Sequence, residues 1–456
     1  MEAVNSSVWK WAWLGGCLAL TVGCAERARD PLPPPADVCA DAPQTTVDFV
    51  TQVQPILETK CATCHRPGGI GTFSLQSPEE AKALAPTLRS AVCGRRMPPW
   101  PPSNQCNTYA HDRSLTDAQI VTLRDWIDSG ADIAGAVAHA PVAPGGLSRV
   151  DRELPLPEPY QPTITPDDYR CFLIDWPDTE ERFITGFGVE PDQAAEVHHV
   201  ILFRIAPENT APLLQADVDD PLPGYSCFGG PNPSTSKKIT TLGVPSMVGV
   251  WAPGALGVDF PAGLGARMKV GSKLVVQVHY NLAAGMPTVD RSKVLLKVDD
   301  TVEREAFLIP FVDPNWVRSA KMNIAAGQKD VFHAFRHVGT DFTDKISAGV
   351  LPRTSAFEVH GAVLHMHTRG TWASLSVERH AAPAASQCLL ELPRWDFHWQ
   401  GLYLFDHPQR VEAKDDLRLE CHWDNSAPGA TELNWGEGTA DEMCLGFLLA
   451  TAPAPE

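Results

Sequence analysis

The chain has 456 residues, of which 44% are hydrophobic and 20% charged, enough apolar material for large buried cores in roughly two to four domains. A formal net charge of -18 leaves no basic surface to neutralise phosphates, which excludes nucleic acid as a partner. The 12 cysteines suit an oxidising compartment or cofactor attachment rather than a reducing cytosol.

In chain order, Lys10 comes first, followed by an apolar run from Trp11 to Gly23, the build of a secretory signal and too short for a membrane span. The run ends Leu20-Thr21-Val22-Gly23-Cys24, which resembles the lipobox of bacterial lipoproteins. Cleavage there would leave Cys24 lipidated; as a plain signal peptide, Cys24 would be incidental. The expectation is a signal over 1–23 and a tether over 24–46, stiffened by Pro31 to Pro35. The protein would then be exported to the bacterial cell envelope, periplasm or outer membrane, and reach a membrane through its lipid anchor.

Val47 to Leu57 has apolar residues at helical spacing and runs into Cys61-Ala62-Thr63-Cys64-His65. Two thiols three apart with an adjacent histidine are what covalent c-type haem attachment needs: Cys61 and Cys64 take the vinyl groups and His65 the iron. A redox dithiol or a zinc half-site is the alternative, but no second CxxC or HxxxH follows nearby. Ser77 to Val92 is helical in pattern with Pro86 set to split it, and Thr116-Asp117-Ala118-Gln119 resembles a capping box ahead of Ile120, Leu123, Trp126 and Ile127. Met97, in Arg95-Arg96-Met97-Pro98-Pro99-Trp100, suits a thioether sixth ligand, with His111 as its rival. Cys93 and Cys106 flank that loop and could staple it; the partners of Cys39 and Cys388 stay open. Residues 47–134 resemble the class I-like cytochrome c domains fused to larger bacterial secreted enzymes. A linker rich in Ala, Pro and Gly over 135–164 reads as a flexible domain boundary.

Beyond Asp167 the texture is short strands between Pro, Gly and Asp turns, which argues antiparallel sandwiches. Val197-His198-His199-Val200-Ile201-Leu202-Phe203 reads as a buried strand with two adjacent imidazoles, which face one metal only at a bulge or strand end. A second strand, Lys273 to Asn281, carries His279 near its end, and the three imidazoles would make one site. Cys171 and Cys227 could form a disulfide beside it. Later, His365 and His367 in Leu364-His365-Met366-His367 share a strand face. With Met443 they form a set that favours copper, since a thioether suits Cu(I) and not zinc. In the plainer reading the histidines are strand-face polar groups and Met443 is core.

The order His198-His199, then Gln277-Val278-His279-Tyr280, then His365-x-His367, then Asp441-Glu442-Met443-Cys444 resembles the type II copper monooxygenases, the family of the peptidylglycine- and dopamine-hydroxylating enzymes. The resemblance covers roughly residues 165–452. It implies two jelly-roll domains, here 165–305 and 306–452, each holding one of two copper ions. His198, His199 and His279 would hold the electron-storing copper, and His365, His367 and Met443 the copper that activates O2 and attacks substrate. It also implies a disulfide between Cys421 and Cys444. The polar grips with which the peptide-amidating enzyme holds a substrate carboxylate fall here on Val363, Leu445 and Phe447, so a glycine-ended peptide is not expected as substrate.

The fold expected is therefore an all-α cytochrome c domain followed by two all-β antiparallel jelly-roll sandwiches. The function expected is an exported copper monooxygenase that hydroxylates a C–H bond of a small organic substrate with O2. Its electrons would come from an ascorbate-like reductant or a redox protein, and its own haem c, tethered at high effective concentration by the linker, would supply electrons to copper. The rival is a non-catalytic haem and copper electron-transfer or copper-binding protein on the same scaffold.

Overall fold

The computed structural model describes residues 37–40, 46–67, 71–136, 146–227, 230–233, 246–252, 255, 257–282, 287–319, 321–381, 386–436 and 438–454. The expected signal, Cys24 and most of the tether lie outside the described residues, as do residues 137–145 of the expected linker. No helix among the described residues is long and apolar enough to cross a membrane.

The leading segment is helical in short pieces. A run of π- and α-helical turns spans Phe49–Val53, Gln54–Ile56 and Leu57–Cys61, started by Asp48, whose carboxylate accepts from the Thr51 amide. Helices Pro78–Ala83 and Ala85–Cys93 break at Leu84, because Pro86 has no amide hydrogen and its ring crowds the preceding turn. Ser77 with Glu80, and Thr116 with Gln119, form reciprocal capping boxes at the starts of Pro78–Ala83 and Asp117–Asp128. Phe49, Leu57, Leu88, Ile120, Leu123 and Trp126 close a small core.

The rest is mostly β. Five strands order as Tyr225–Ser226, Asp167–Asp175, Lys273–Asn281, Val197–Ile205 and Met247–Trp251. A six-stranded sheet runs Arg152–Pro155, Lys293–Asp299, Arg182–Glu190, Leu264–Met268 and Arg304–Glu305, with Val258–Asp259 beside Arg182–Glu190. Two four-stranded sheets follow: Phe307–Phe311, Leu445–Thr451, Phe357–His365 and Tyr403–Val411; and Val331–Val338, Asp416–Trp423, Gly370–Glu378 and Gln387–Leu392.

This corrects the expected fold class. The chain is mostly β, and the leading segment is no all-α domain: its helices alternate with irregular runs, and Tyr109 bridges to Phe405 of a distant strand. Nor do the strands form two separate antiparallel jelly-roll sandwiches. Among the described residues there are four sheets, Arg304–Glu305 pairs in parallel with Leu264–Met268, and one core runs across the expected boundary, where Leu308, Val363, Leu404, Phe447 and Leu449 join Phe187, Val200, Trp251 and Tyr280. Alternation of apolar residues reports which face of a strand is buried, and is silent on which sheet buries it.

The eight disulfide cysteines pair as Cys39–Cys93, Cys106–Cys388, Cys171–Cys227 and Cys421–Cys444. The stapling of Cys93 to Cys106 is thereby corrected. Cys93 ends its helix against Cys39, and Cys106 lies over the edge strand Gln387–Leu392, which brings Cys388 to it across 282 residues of sequence. Peptide mapping without reduction should recover the Cys106 and Cys388 peptides joined. Replacing both by serine should lower stability by about 2–4 kcal/mol, the usual range for a long closed loop; recovery of a Cys93–Cys106 peptide would contradict this pairing.

Candidate metal centres

Val197–Ile205 and Lys273–Asn281 are antiparallel neighbours in which His199 stands opposite His279, and the register shifts between Val197 and His199. That irregularity turns His198 toward the same side as its neighbour, the condition under which adjacent strand residues share a ligand. Nδ1 of His199 lies 3.3 Å from Nδ1 of His198 and 3.3 Å from Nδ1 of His279. With metal–nitrogen bonds of about 2.0 Å, a tetrahedral site has ligand edges of about 3.3 Å, so the spacing is that of ligands around one ion. A ligand atom from each of the three histidines lies within 4.8 Å of those of the other two.

The surroundings set the proton on each ring. Nε2 of His279 is 2.9 Å from Oδ1 of Asp167, which fixes the tautomer with Nδ1 free as donor. The same carboxylate oxygen accepts from Asn281 Nδ2 at 3.1 Å and from Thr439 Oγ1 at 2.8 Å. Burial works against the charge on Asp167, yet the bonds from His279 and Thr439 hold its carboxyl down at about 2. Burial drives the His198 imidazole down to about 4 and that of His199 well below its ordinary value. Both rings are therefore neutral near pH 7, the form a metal needs.

The Gln277-Val278-His279-Tyr280 stretch is held from both sides. Gln277 donates to the Gly230 carbonyl at 2.9 Å beside the Cys171–Cys227 disulfide, and Tyr280 donates to Asp290 at 2.8 Å.

His365 ends the strand Phe357–His365, and its ring lies 5.1 Å from that of His367, nearly perpendicular to it. Nδ1 of His365 meets Gln400 Oε1 at 2.6 Å, and Nδ1 of His367 meets the Asp441 carbonyl at 3.0 Å, so Nε2 is the free donor on both rings. Burial pushes His365 down to about 3 and His367 to about 4. His365 stands opposite Leu445 in the strand pairing. Two residues before Leu445 stands the buried Met443, and Asp441 and Glu442 just ahead of it bond to His367. Glu442, next to Met443, accepts from the His367 amide, the Arg369 amide and the Trp423 indole at 2.9, 2.6 and 2.9 Å. Its neighbour Cys444 is bonded to Cys421. A thioether and two neutral imidazoles on a rigid turn form a donor set suited to Cu(I).

The two groups face each other across one ring. Phe397 stacks on His198 with centroids 4.7 Å apart and meets His367 edge-on at 6.0 Å. Trp395, in the same loop, donates from its indole to the His367 carbonyl at 2.8 Å. Asp167, Thr439 and Gln400 escape a reading of the sequence, because no spacing rule marks an orienting residue that is distant in the chain. Two further buried histidines have structural partners: His360 meets Thr451, and His422 lies between Asp330 and Glu420.

In the leading segment, Cys61 and Cys64 are the free thiols among the described cysteines. Nδ1 of His65 meets the Phe73 carbonyl at 3.2 Å, and Phe73 stacks on the ring at 4.4 Å, which leaves Nε2 available. A Cβ at Gly71 would lie 2.4 Å from Nδ1 of His65, so only glycine fits beside the ring. Met97 follows the helix Ala85–Cys93 in a half-buried loop, and His111 lies beyond it.

Residues 319–451 match the family profile described as copper type II ascorbate-dependent monooxygenase, C-terminal domain. That match supports copper as the metal and a monooxygenase as the activity. It also implies O2, a small-molecule substrate and an ascorbate-like reductant. No curated protein matches the chain. The crystal structure of the infectious bursal disease virus VP2 subviral particle overlaps 66% of this chain and 71% of its own at 9% identity, with a TM-score of 0.16, too slight a likeness to bear on fold or function.

Removing the carboxylate that orients His279 should loosen its metal. Asp167→Ala is expected to weaken binding at the three-histidine site by about 10–100-fold, the usual effect of losing an orienting partner. Competition against a chromophoric chelator measures this, and unchanged affinity would show that Asp167 does not orient the ligand.

Proposed function

We propose that the protein is an exported, lipid-anchored copper monooxygenase that hydroxylates a C–H bond of a small neutral molecule with O2 and carries a covalently attached haem c. The observation that carries this reading is the pairing of three converging imidazoles with a second imidazole pair across Phe397, on a chain whose residues 319–451 match the copper family.

In this reading His365, His367 and Met443 hold the copper where O2 and substrate react, and His198, His199 and His279 hold the copper that stores the second electron. Copper held in these sites would supply the one-electron redox chemistry that a hydroxylation requires. The protein's part is orientation and exclusion of water. Gln400 and the Asp441 carbonyl fix the rings of His365 and His367, Glu442 braces the turn behind them, and Phe397 and Trp395 wall the space between the sites. Cys61 and Cys64 would bond the haem and His65 ligate its iron, with Met97 or His111 opposite. The orientation of His65 by the Phe73 carbonyl and the two unpaired thiols fit that attachment.

The substrate class follows from the residues beside His365. Val363 and Phe447 stand opposite one another on neighbouring strands, both buried in apolar surroundings, with Leu445 at the edge of the same cluster. A carboxylate brought there would lose its hydration without gaining a partner, at a penalty of several kcal/mol, roughly. Neutral, apolar substrates are therefore favoured.

Well-loaded protein should contain two coppers and one haem per chain by elemental analysis and haem absorbance. Met443→Ala should weaken one copper, the reduced form most, and leave the haem spectrum unchanged. Oxygen uptake should depend on a neutral substrate and exceed that with a glycine-extended peptide. A preference for zinc with no copper-dependent oxygen uptake would overturn the reading in favour of a metal-binding protein without catalysis.

A further inference from the structure

The leading segment is fastened to the sheet that carries His365. From Trp100 to Ala110 the chain lies as a strap over two edge strands, Gln387–Leu392 and Tyr403–Val411, each the last strand of its sheet. The amide of Ser103 donates to the Glu391 carbonyl at 2.9 Å, that of Ala110 to the Leu404 carbonyl at 2.9 Å, and that of Asp406 to the Thr108 carbonyl at 3.1 Å. Cys106–Cys388 locks the strap covalently. Tyr109 is 4% exposed and belongs to the core of the last two sheets, with Trp100 packed against it. Such a contact holds one geometry and leaves no room for a swinging domain.

The strap joins features already described. At its far end, Lys60 beside Cys61 donates to the Asp112 carbonyl at 2.8 Å. Trp100, three residues after Met97, meets Tyr403 edge-on at 5.4 Å. Three residues before Tyr403 stands Gln400, whose side chain holds His365. The same loop starts at Arg394, which donates to the carbonyls of Gly94 and Arg95, and its Trp395 and Phe397 touch His367 and His198. Residues 394–400 are thus in contact with the leading segment at one end and with both metal groups at the other.

We propose that the strap and the loop 394–400 form a fixed electron-entry contact, through which the haem module reduces the copper at His365, His367 and Met443 directly. The inference rests on the haem and copper reading above. In the step, ferrous haem gives one electron to Cu(II), leaving ferric haem and Cu(I), with no proton transferred. Entry is at this site because it is joined to the strap through the short chain segment from Tyr403 to Gln400 and a hydrogen bond to His365, whereas the three-histidine site meets the loop through the stacking of His198 on Phe397.

The test is anaerobic stopped-flow, without substrate, on full-length protein carrying ferrous haem and Cu(II), followed by haem absorbance. Haem oxidation should be first-order, independent of protein concentration and unchanged by added sucrose, since a fixed contact needs no diffusive search. A rate that falls in proportion to viscosity would overturn the proposal. The fast phase should persist in His279→Ala and vanish in Met443→Ala; the reverse pattern would overturn it. Cys106→Ser with Cys388→Ser should make oxidation viscosity-dependent, and Trp100→Leu should slow it on the order of tenfold, about 1.4 kcal/mol. In both variants ascorbate-driven oxygen uptake and metal content should stay unchanged. Haem that stays reduced in protein whose haem and copper contents are full would sink this inference alone, whereas protein without haem would sink the reading beneath it.

Discussion

One carboxylate oxygen ties the molecule together. Oδ1 of Asp167, at the start of its strand, receives hydrogen bonds from His279, Asn281 and Thr439. Two of those donors belong to the strand of the three-histidine group, and the third to the turn that leads into Asp441, Glu442 and Met443. Burial would favour the neutral acid, and only the donors keep the charge in place. Each metal group therefore depends on a residue that the other group's scaffold positions. A shift of the turn at Thr439 would be felt at the ring of His279.

Neutrality of the imidazoles is the second constraint. His198, His199, His365 and His367 lie near one another with protonation suppressed by burial. Four cations in so small a space would repel strongly in a low-dielectric interior. Neutral rings avoid that repulsion, and Gln400 and the Asp441 carbonyl engage Nδ1 of His365 and His367, leaving Nε2 of each available. The arrangement keeps the rings in the neutral form a metal would require, because a cluster of imidazolium ions is unfavourable there.

What could be read from the amino acids follows the range of the forces involved. The adjacent pair His198-His199 within a β-branched run announces both a strand and the irregularity a shared ligand demands, since alternation is a local rule. The capping box at Thr116 and the break before Pro86 are local in the same way. Asp167 and Gln400 were not legible, because each meets its histidine through a contact across 112 or 35 positions that no periodicity encodes. Cys106 misled for the same reason: Cys93 is its near neighbour in sequence, while its partner Cys388 arrives through the strap. The continuous core from Tyr280 to Phe447 was equally hidden, since an apolar strand face looks alike whichever sheet it meets.

That continuous core bears on what the protein can take as substrate. Val363, Phe447 and, at its edge, Leu445 pack with Leu404 and Leu449 against residues of the first two sheets. The apolar contacts that join the two halves thus reach the strand end that carries His365. A polar grip introduced at Val363 would have to be buried without a partner, and would loosen the seam on which Asp167 and Thr439 depend. If neutral substrates react beside His365, as proposed, their selection and the alignment of the two histidine groups are constrained together, because one set of apolar side chains serves both.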